Sequence, residues 1–96
     1  MALLVKVDGT RETVEGEGDN GKLTYDQLKK AIGGGYLELV SCDPAMTEGH
    51  VAFYCDEEGK LKHFLPNEKA TMWSTYTAPN DVVCGDVIFL KPEELD

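Results

Sequence analysis

The stretch from Thr24 to Val40, TYDQLKKAIGGGYLELV, constrains the fold most, because it encodes a helix, a stop and a strand in succession. Thr24 is a preferred N-cap residue, and Gln27 can complete a capping box with it. The glycines at 33–35 provide the backbone freedom that ends a helix and reverses the chain. We therefore expect a helix followed by a strand over 36–42, and we expect the other strands to assemble around this unit.

The apolar spacing within this helix predicts which of its faces is buried. Tyr25, Leu28 and Ile32, together with Ala31, recur at helical spacing. The charged residues between them point away, with an acid in the first turn and lysines in the last, as the helix dipole favours. We expect the face that carries Tyr25 to pack against the sheet.

The first residues predict a β-hairpin. Residues 3–7 and 11–15 flank Asp8-Gly9, a dipeptide that favours a two-residue turn with positive φ at both positions. Glycine-rich residues 16–22 then read as a polar loop that leads to the helix.

The remainder predicts further strands, a second helix and an acidic end. Residues 50–55 and 60–65 flank the turn sequence DEEG and predict another hairpin. Pro66 suits the first turn of a helix over 66–76, and residues 82–90 read as a closing strand that Gly85-Asp86 bends. The order ββαβββαβ predicts one α+β domain over 1–96, with a mixed, mainly antiparallel sheet, two short helices and a solvated acidic tail at 91–96.

Charge and cysteine usage narrow the class of protein. Eighteen acidic and nine basic residues give a formal net charge of −9 in 96 residues, which argues against direct binding to nucleic-acid phosphates. The three cysteines, Cys42, Cys55 and Cys84, are widely spaced and odd in number, as is typical of reduced thiols in a cytoplasmic protein. The apolar run at the N-terminus is too short for a signal peptide or a membrane span.

Two metal motifs are incomplete. The segment 16–27 resembles a calcium loop, but glycines occupy its first and third ligand positions and Gln27 occupies the last. Cys42, His50, Cys55 and His63 form two C-x7-H units, yet His50 and Cys55 lie at opposite ends of one predicted strand, roughly 16 Å apart. We expect no metal and no cofactor, with the cysteines in the core and the histidines on sheet faces.

Catalytic signals are weak. Two histidines on predicted strands and the lack of a nucleophile elbow give little support to a nucleophile and base pair. The glycines at 33–35 follow a helix and lack the lysine of a phosphate-binding loop. We expect no enzyme, and a small hydrolase is the most distant of the functional alternatives.

The start of the second helix is the place best suited to a polar or anionic ligand. A helix N-terminus after Pro66 offers free N–H groups and a positive dipole end. We expect the Asn67 amide to face outward there, beside a lysine, a threonine and an aromatic wall. The alternative is that the aromatic residues pack in the core. The candidate binding residues are Asn67, Lys69, Thr71, Trp73 and Tyr76.

Five short segments give the chain a family resemblance. They are LVKVDGT at the hairpin, GGYLE at 34–38, CDEEGKL at 55–61, LPNEKAT at 65–71 and the GD pair at 85–86. In order and spacing these segments resemble domain of unknown function three-eight-four-six, a family found mainly in bacteriophages, plasmids and other mobile elements. The STYT segment and the acidic tail match no part of that pattern. The resemblance implies a setting, that of a small accessory protein acting inside a host cell, and implies no catalytic residues.

These observations lead to two main hypotheses. The first is a non-catalytic binding protein of a phage or mobile element that occupies a host protein or sequesters a small molecule, with an anti-defence role in view. The second is an acidic DNA mimic that blocks a DNA-binding enzyme, which would need carboxylates ranged along one extended face. Both act in the cytoplasm without a membrane, and both leave open a homo-oligomer formed through an exposed strand edge.

Overall fold

A five-stranded antiparallel sheet with one helix on each face organises the protein, as seen in a computed structural model that describes residues 2–42, 44–45, 47, 49–59, 61–74 and 82–94. The α+β class is confirmed, although every pairing between neighbouring strands over these residues is antiparallel, so the sheet is not mixed. The strand order is β2-β1-β5-β4-β3. The elements are β1 (Ala2–Val5), β2 (Arg11–Val14), α1 (Tyr25–Ile32), β3 (Leu37–Ser41), β4 (Ala52–Asp56), α2 (Glu68–Trp73) and β5 (Val87–Leu90), with short 3-10 helices at Asp19–Gly21 and Pro92–Glu94.

The closing strand β5, rather than the stretch 24–40, is the centre of the sheet. All four residues of β5 are buried. The strand has apolar side chains on both faces of the sheet, and both faces are covered. The strand β3 lies at an edge instead, with Glu38 and Leu39 exposed. The expectation that the strands assemble around 24–40 is therefore wrong.

The two faces of the sheet carry separate apolar clusters. On one face, the tilted rings of Phe53 and Phe89 pack with their centroids 4.9 Å apart, and α2 covers them with Ala70 and Trp73. Burying each of these rings contributes about 2–3 kcal/mol. On the other face α1 packs over the residues Ala2, Ile88 and Leu90. The helices thus lie on opposite sides of one sheet.

The first hairpin is confirmed, but its turn differs from the predicted type. The Gly9 N–H donates to the Lys6 carbonyl and the Lys6 N–H donates to the Thr10 carbonyl, which makes a three-residue loop. Gly9 alone in that loop has a positive φ, of 89°, as in a type I turn with a bulge. The Asp8 carboxylate accepts from the N–H and hydroxyl of Thr10, and these bonds lower the pKa of Asp8.

The helix α1 begins and ends where the sequence predicts. The Thr24 hydroxyl accepts from the Gln27 N–H, and the side-chain oxygen of Gln27 accepts from the Thr24 N–H. Gly33 ends the helix at φ 95°. Gln27 also holds the preceding loop, since its amide binds the Glu17 N–H and the Glu15 carbonyl. Tyr25 is 61% exposed, so its predicted burial is wrong.

The predicted strand at 60–65 is also wrong, because residues 61–63 form turns. The buried carboxylate of Asp56 stabilises these turns, because it binds Lys62 Nζ at 2.7 Å and accepts from the Glu58 N–H at 2.9 Å. His63 completes the reversal at φ 58°. The sequence therefore predicts six strands, whereas the described residues form five.

The second helix and the C-terminal segment also differ from expectation. The helix begins at Glu68 instead of Pro66, which forms an isolated bridge with Cys84. Beyond Ser74, the predicted helix to residue 76 lies outside the described residues. The tail predicted to be solvated contains a 3-10 helix, in which Glu94 is 8% exposed and accepts from the Lys91 N–H.

Candidate functional site: a cleft beside α1

Asn67, the first residue of the predicted ligand site, is part of the fold. It is 1% exposed, so the expectation that its amide faces outward is wrong. Its oxygen accepts from the Ala70 N–H at 3.1 Å and caps α2. Its amide nitrogen donates to the carbonyls of Val5 and Gly85, each at 3.0 Å. The amide faces inward because it bonds to backbone groups of three segments: α2, β1 and the segment before β5.

Three of the remaining predicted site residues, Lys69, Thr71 and Trp73, lie on α2. The Thr71 hydroxyl donates to the Asn67 carbonyl and accepts from the Val83 N–H. Trp73 packs edge-on against Phe89, which agrees with the core alternative for this residue. Lys69 is half-buried, and its ligand role stays a prediction. Tyr76 lies outside the described residues.

An open hollow of about 470 Å³ lies beside the end of α1. Its apolar wall includes Ile32, Phe64 and Leu65, and Leu65 is 67% exposed. The Phe64 ring packs against Gly85, where a Cβ would lie 2.8 Å from the ring and φ is 93°. Glycine is therefore required at this position for two reasons, backbone conformation and space.

A second hollow, of about 520 Å³, continues along α1 towards the first hairpin. The two hollows adjoin, because Lys30, Ala31 and Asp86 line both of them. We call the two hollows together the α1 cleft. The second hollow is also lined by residues of β1, β2, the first turn of α1 and the loops that follow the two strands: Leu4, Lys6, Val14, Glu17, Asp26 and Gln27.

Two residues of opposite charge, Lys30 and Asp86, line both hollows. Asp86 Oδ1 accepts from the Val7 N–H at 3.0 Å, which fixes the carboxylate at the cleft wall. Lys30 is exposed and forms no ion pair within the described ranges, whereas Lys6 pairs with Glu12 at 3.3 Å. His63 lines the first hollow. The cleft thus offers an unpaired cation, a held anion and an apolar wall, the combination by which small-molecule sites orient a ligand.

The cysteines and histidines of the metal motifs lie in different surroundings. Cys42 Sγ donates to the His50 carbonyl at 3.4 Å, while the His50 ring binds the Thr47 carbonyl through Nδ1. The thiol therefore faces the histidine backbone, not its ring, and both residues are buried. His63 is exposed at the α1 cleft. Within the described ranges, no three His, Cys, Asp or Glu residues group as metal ligands.

Cys55 lies on the α2 side of the sheet, next to the Glu38 carboxylate. Its Sγ donates to Glu38 Oε1 at 3.6 Å. Burial first, and then the neighbouring carboxylate of Glu38, raise the pKa of Cys55 to about 12. A thiol with such a pKa stays protonated at neutral pH and is a poor nucleophile.

The sequence interpretation missed the α1 cleft, although its signals were present in the segments that carry the family resemblance. Asn67 of LPNEKAT bonds to Val5 of LVKVDGT and to Gly85 of the GD pair. Asp86 of that pair bonds to Val7. Segments up to 79 positions apart therefore meet at one wall of the cleft. Sequence distance hid this convergence.

Comparison with known proteins identifies a family. A family model described as Domain of unknown function (DUF3846) matches residues 1–96. No curated protein and no solved structure matches the chain. The described helices include none with the length and apolar character needed to cross a membrane.

Proposed function

The chain belongs to the family described as Domain of unknown function (DUF3846), and from its own geometry we propose that it is a non-catalytic binding protein that sequesters a small molecule in the α1 cleft. The observation that carries the proposal is that Lys30 and Asp86, which have opposite charges, line both of the two adjoining hollows. The ligand would carry an anionic group for Lys30, a hydrogen-bond donor for Asp86 and an apolar body for the wall at Phe64.

The setting of this activity is also a proposal. The family resemblance implies an accessory protein of a phage or mobile element, and sequestration of a host molecule suits such a role, including inhibition of a host defence. No disulfide joins any two of Cys42, Cys55 and Cys84. Free thiols support action in the reducing cytoplasm of a host cell.

Charge reversal at Lys30 tests the proposal. We expect wild-type protein, incubated with a deproteinised cell extract and examined by native mass spectrometry, to retain a small molecule that Lys30→Glu protein loses. Lys29→Glu is the matched control, because Lys29 lies in the same last turn of α1 but lines neither hollow. Both variants weaken the dipole interaction alike, so their melting temperatures should agree within a few degrees. Equal retention by both variants, or no retention by the wild type, would contradict the proposal.

The acidic DNA mimic is the alternative, and one hollow favours it. Glu15, Glu93 and Glu94 line a hollow of about 360 Å³ on a chain of net charge −9. Three carboxylates round one hollow are fewer than a row that imitates a DNA backbone would need. A mimic would compete with DNA for a DNA-binding enzyme, and Glu15→Gln with Glu93→Gln would weaken that competition, whereas Lys30→Glu would leave it intact.

A further inference from the structure

The outer edge of β3 presents backbone groups that the sheet does not use. The Tyr36 carbonyl accepts from the Glu57 N–H and the Cys42 N–H donates to the Val51 carbonyl, so both residues face β4. Bonding direction alternates along an antiparallel strand. Leu37 and Leu39 therefore direct their N–H and C=O groups to the open edge of the sheet.

The two edge strands differ in how they resist pairing. The edge strand β2 has the sequence RETV, with three exposed polar residues at its start, and charged side chains are a common protection of an edge. The edge strand β3 is more apolar, since Leu39 is 51% exposed and the adjoining Tyr36 is 67% exposed. The single charge within β3 is Glu38. At its far end Cys42 forms a bridge with Ser74, so residues 36–40 are the part of this edge with which no other described strand pairs.

A second copy of the chain fits this edge poorly. An antiparallel copy that uses Leu37 and Leu39 of both chains must place Glu38 opposite Glu38. That pair would occupy the closely spaced, non-hydrogen-bonded position, where like charges destabilise pairing. The net charge of −9 adds repulsion between copies. Glu38 therefore opposes self-pairing, and it favours a strand with a basic residue at the same position.

We propose that the edge of β3 docks an extended, apolar segment of a partner protein, with lysine or arginine opposite Glu38. The backbone groups of Leu37 and Leu39 would bond to the segment, as in β-augmentation, and the charge pair would set its register. This surface shares no residue with the α1 cleft. The proposal therefore goes beyond ligand sequestration and does not depend on it.

The protein itself provides the first probe, through a charge reversal. At a concentration where wild type and Glu38→Lys are each monomeric, we expect an equimolar mixture to form dimers in analytical ultracentrifugation. The association constant of the mixture should be about tenfold above the upper limit for either protein alone. Leu39→Pro in both chains should abolish the association, because it removes an N–H that faces the open edge. Its melting temperature reports whether the fold is intact. Dimerisation of the wild type alone would overturn the proposal, since the occupant would then be a second copy.

Short peptides give an independent reading by NMR amide exchange. The peptide Tyr-Leu-Lys-Leu-Val should slow the exchange of the Leu37 and Leu39 amides in the wild type, whereas Tyr-Leu-Glu-Leu-Val should protect them only in Glu38→Lys protein. The Glu38 and Val40 amides, which face β4, are internal references and should not change. A mixture that associates no more than its components, with equal effects of the two peptides on both proteins, would overturn the proposal.

Discussion

The helices α1 and α2 cover opposite faces of one sheet, yet different kinds of interaction hold them. The ends of α1 are fixed by neighbours in sequence, with the Thr24 and Gln27 capping box at one end and Gly33 at the other. The start of α2 is fixed by Asn67, whose amide bonds to β1 and to the segment before β5. A helix with local ends leaves its last turn free to line a cleft, whereas the Asn67 side chain at the start of α2 is used in the fold.

Removing the Asn67 side chain should have the largest effect on stability. In Asn67→Ala the helix cap is lost, and the buried carbonyls of Val5 and Gly85 each lose a donor. We expect a loss of about 3 kcal/mol in the free energy of unfolding, measured by urea denaturation. For a domain of this size that loss corresponds to a fall of roughly 12–24 °C in melting temperature.

Lys69→Ala is the control for this prediction, because Lys69 lies on the same helix and its side chain makes no hydrogen bond within the described residues. Its free energy of unfolding should stay within about 0.5 kcal/mol of the wild type. Similar small effects of both substitutions would show that α2 does not depend on the Asn67 contacts.

This contrast explains what could be predicted from the sequence. Thr24, Gln27 and Gly33 act within a few residues of one another, so the bounds of α1 followed from local patterns. Asn67 could be recognised as a residue near a helix start, but its partners lie 18 and 62 positions away. No local pattern reports such contacts, and the Asn67 amide was therefore expected to face outward when it is buried.

The same reason accounts for the failed strand at 60–65. Its alternation was a valid local signal, but the pairing of Lys62 with the buried Asp56 carboxylate overrides it. The α1 cleft was missed because Lys30 and Asp86 belong to segments far apart in the chain. In contrast, the apolar pattern of 82–90 and its bend at Gly85 predicted a real strand, β5, although not its central place.

The α2 side of the sheet should also show a distinct pH dependence through Cys55. Its thiol has a folded-state pKa of about 12 against an ordinary value of 9.0. Between these values the unfolded chain loses the proton while the folded chain keeps it, so the contribution to stability is present below pH 9.0 and falls as pH rises. The expected slope is about 1.4 kcal/mol per pH unit.

Urea denaturation between pH 8 and 10.5 measures this slope, and Cys55→Ala should remove it. Cys84→Ala is the control, because Cys84 is half-buried and outside the Glu38 contact. Equal slopes in the wild type and Cys55→Ala would mean that burial beside Glu38 does not keep the thiol protonated.

The smallest of these effects is expected at the local end of α1. Thr24→Ala removes one capping bond, the acceptor for the Gln27 N–H, and should reduce the free energy of unfolding by about 1 kcal/mol. Thr24→Ser keeps the hydroxyl and should restore most of this stability. Because Thr24 and Asn67 share no partner, Thr24→Ala combined with Asn67→Ala should give the sum of the single losses within about 0.5 kcal/mol. A clear departure from additivity would mean that the two helices are coupled through the sheet, and that the separation between a local α1 and a tertiary α2 is wrong.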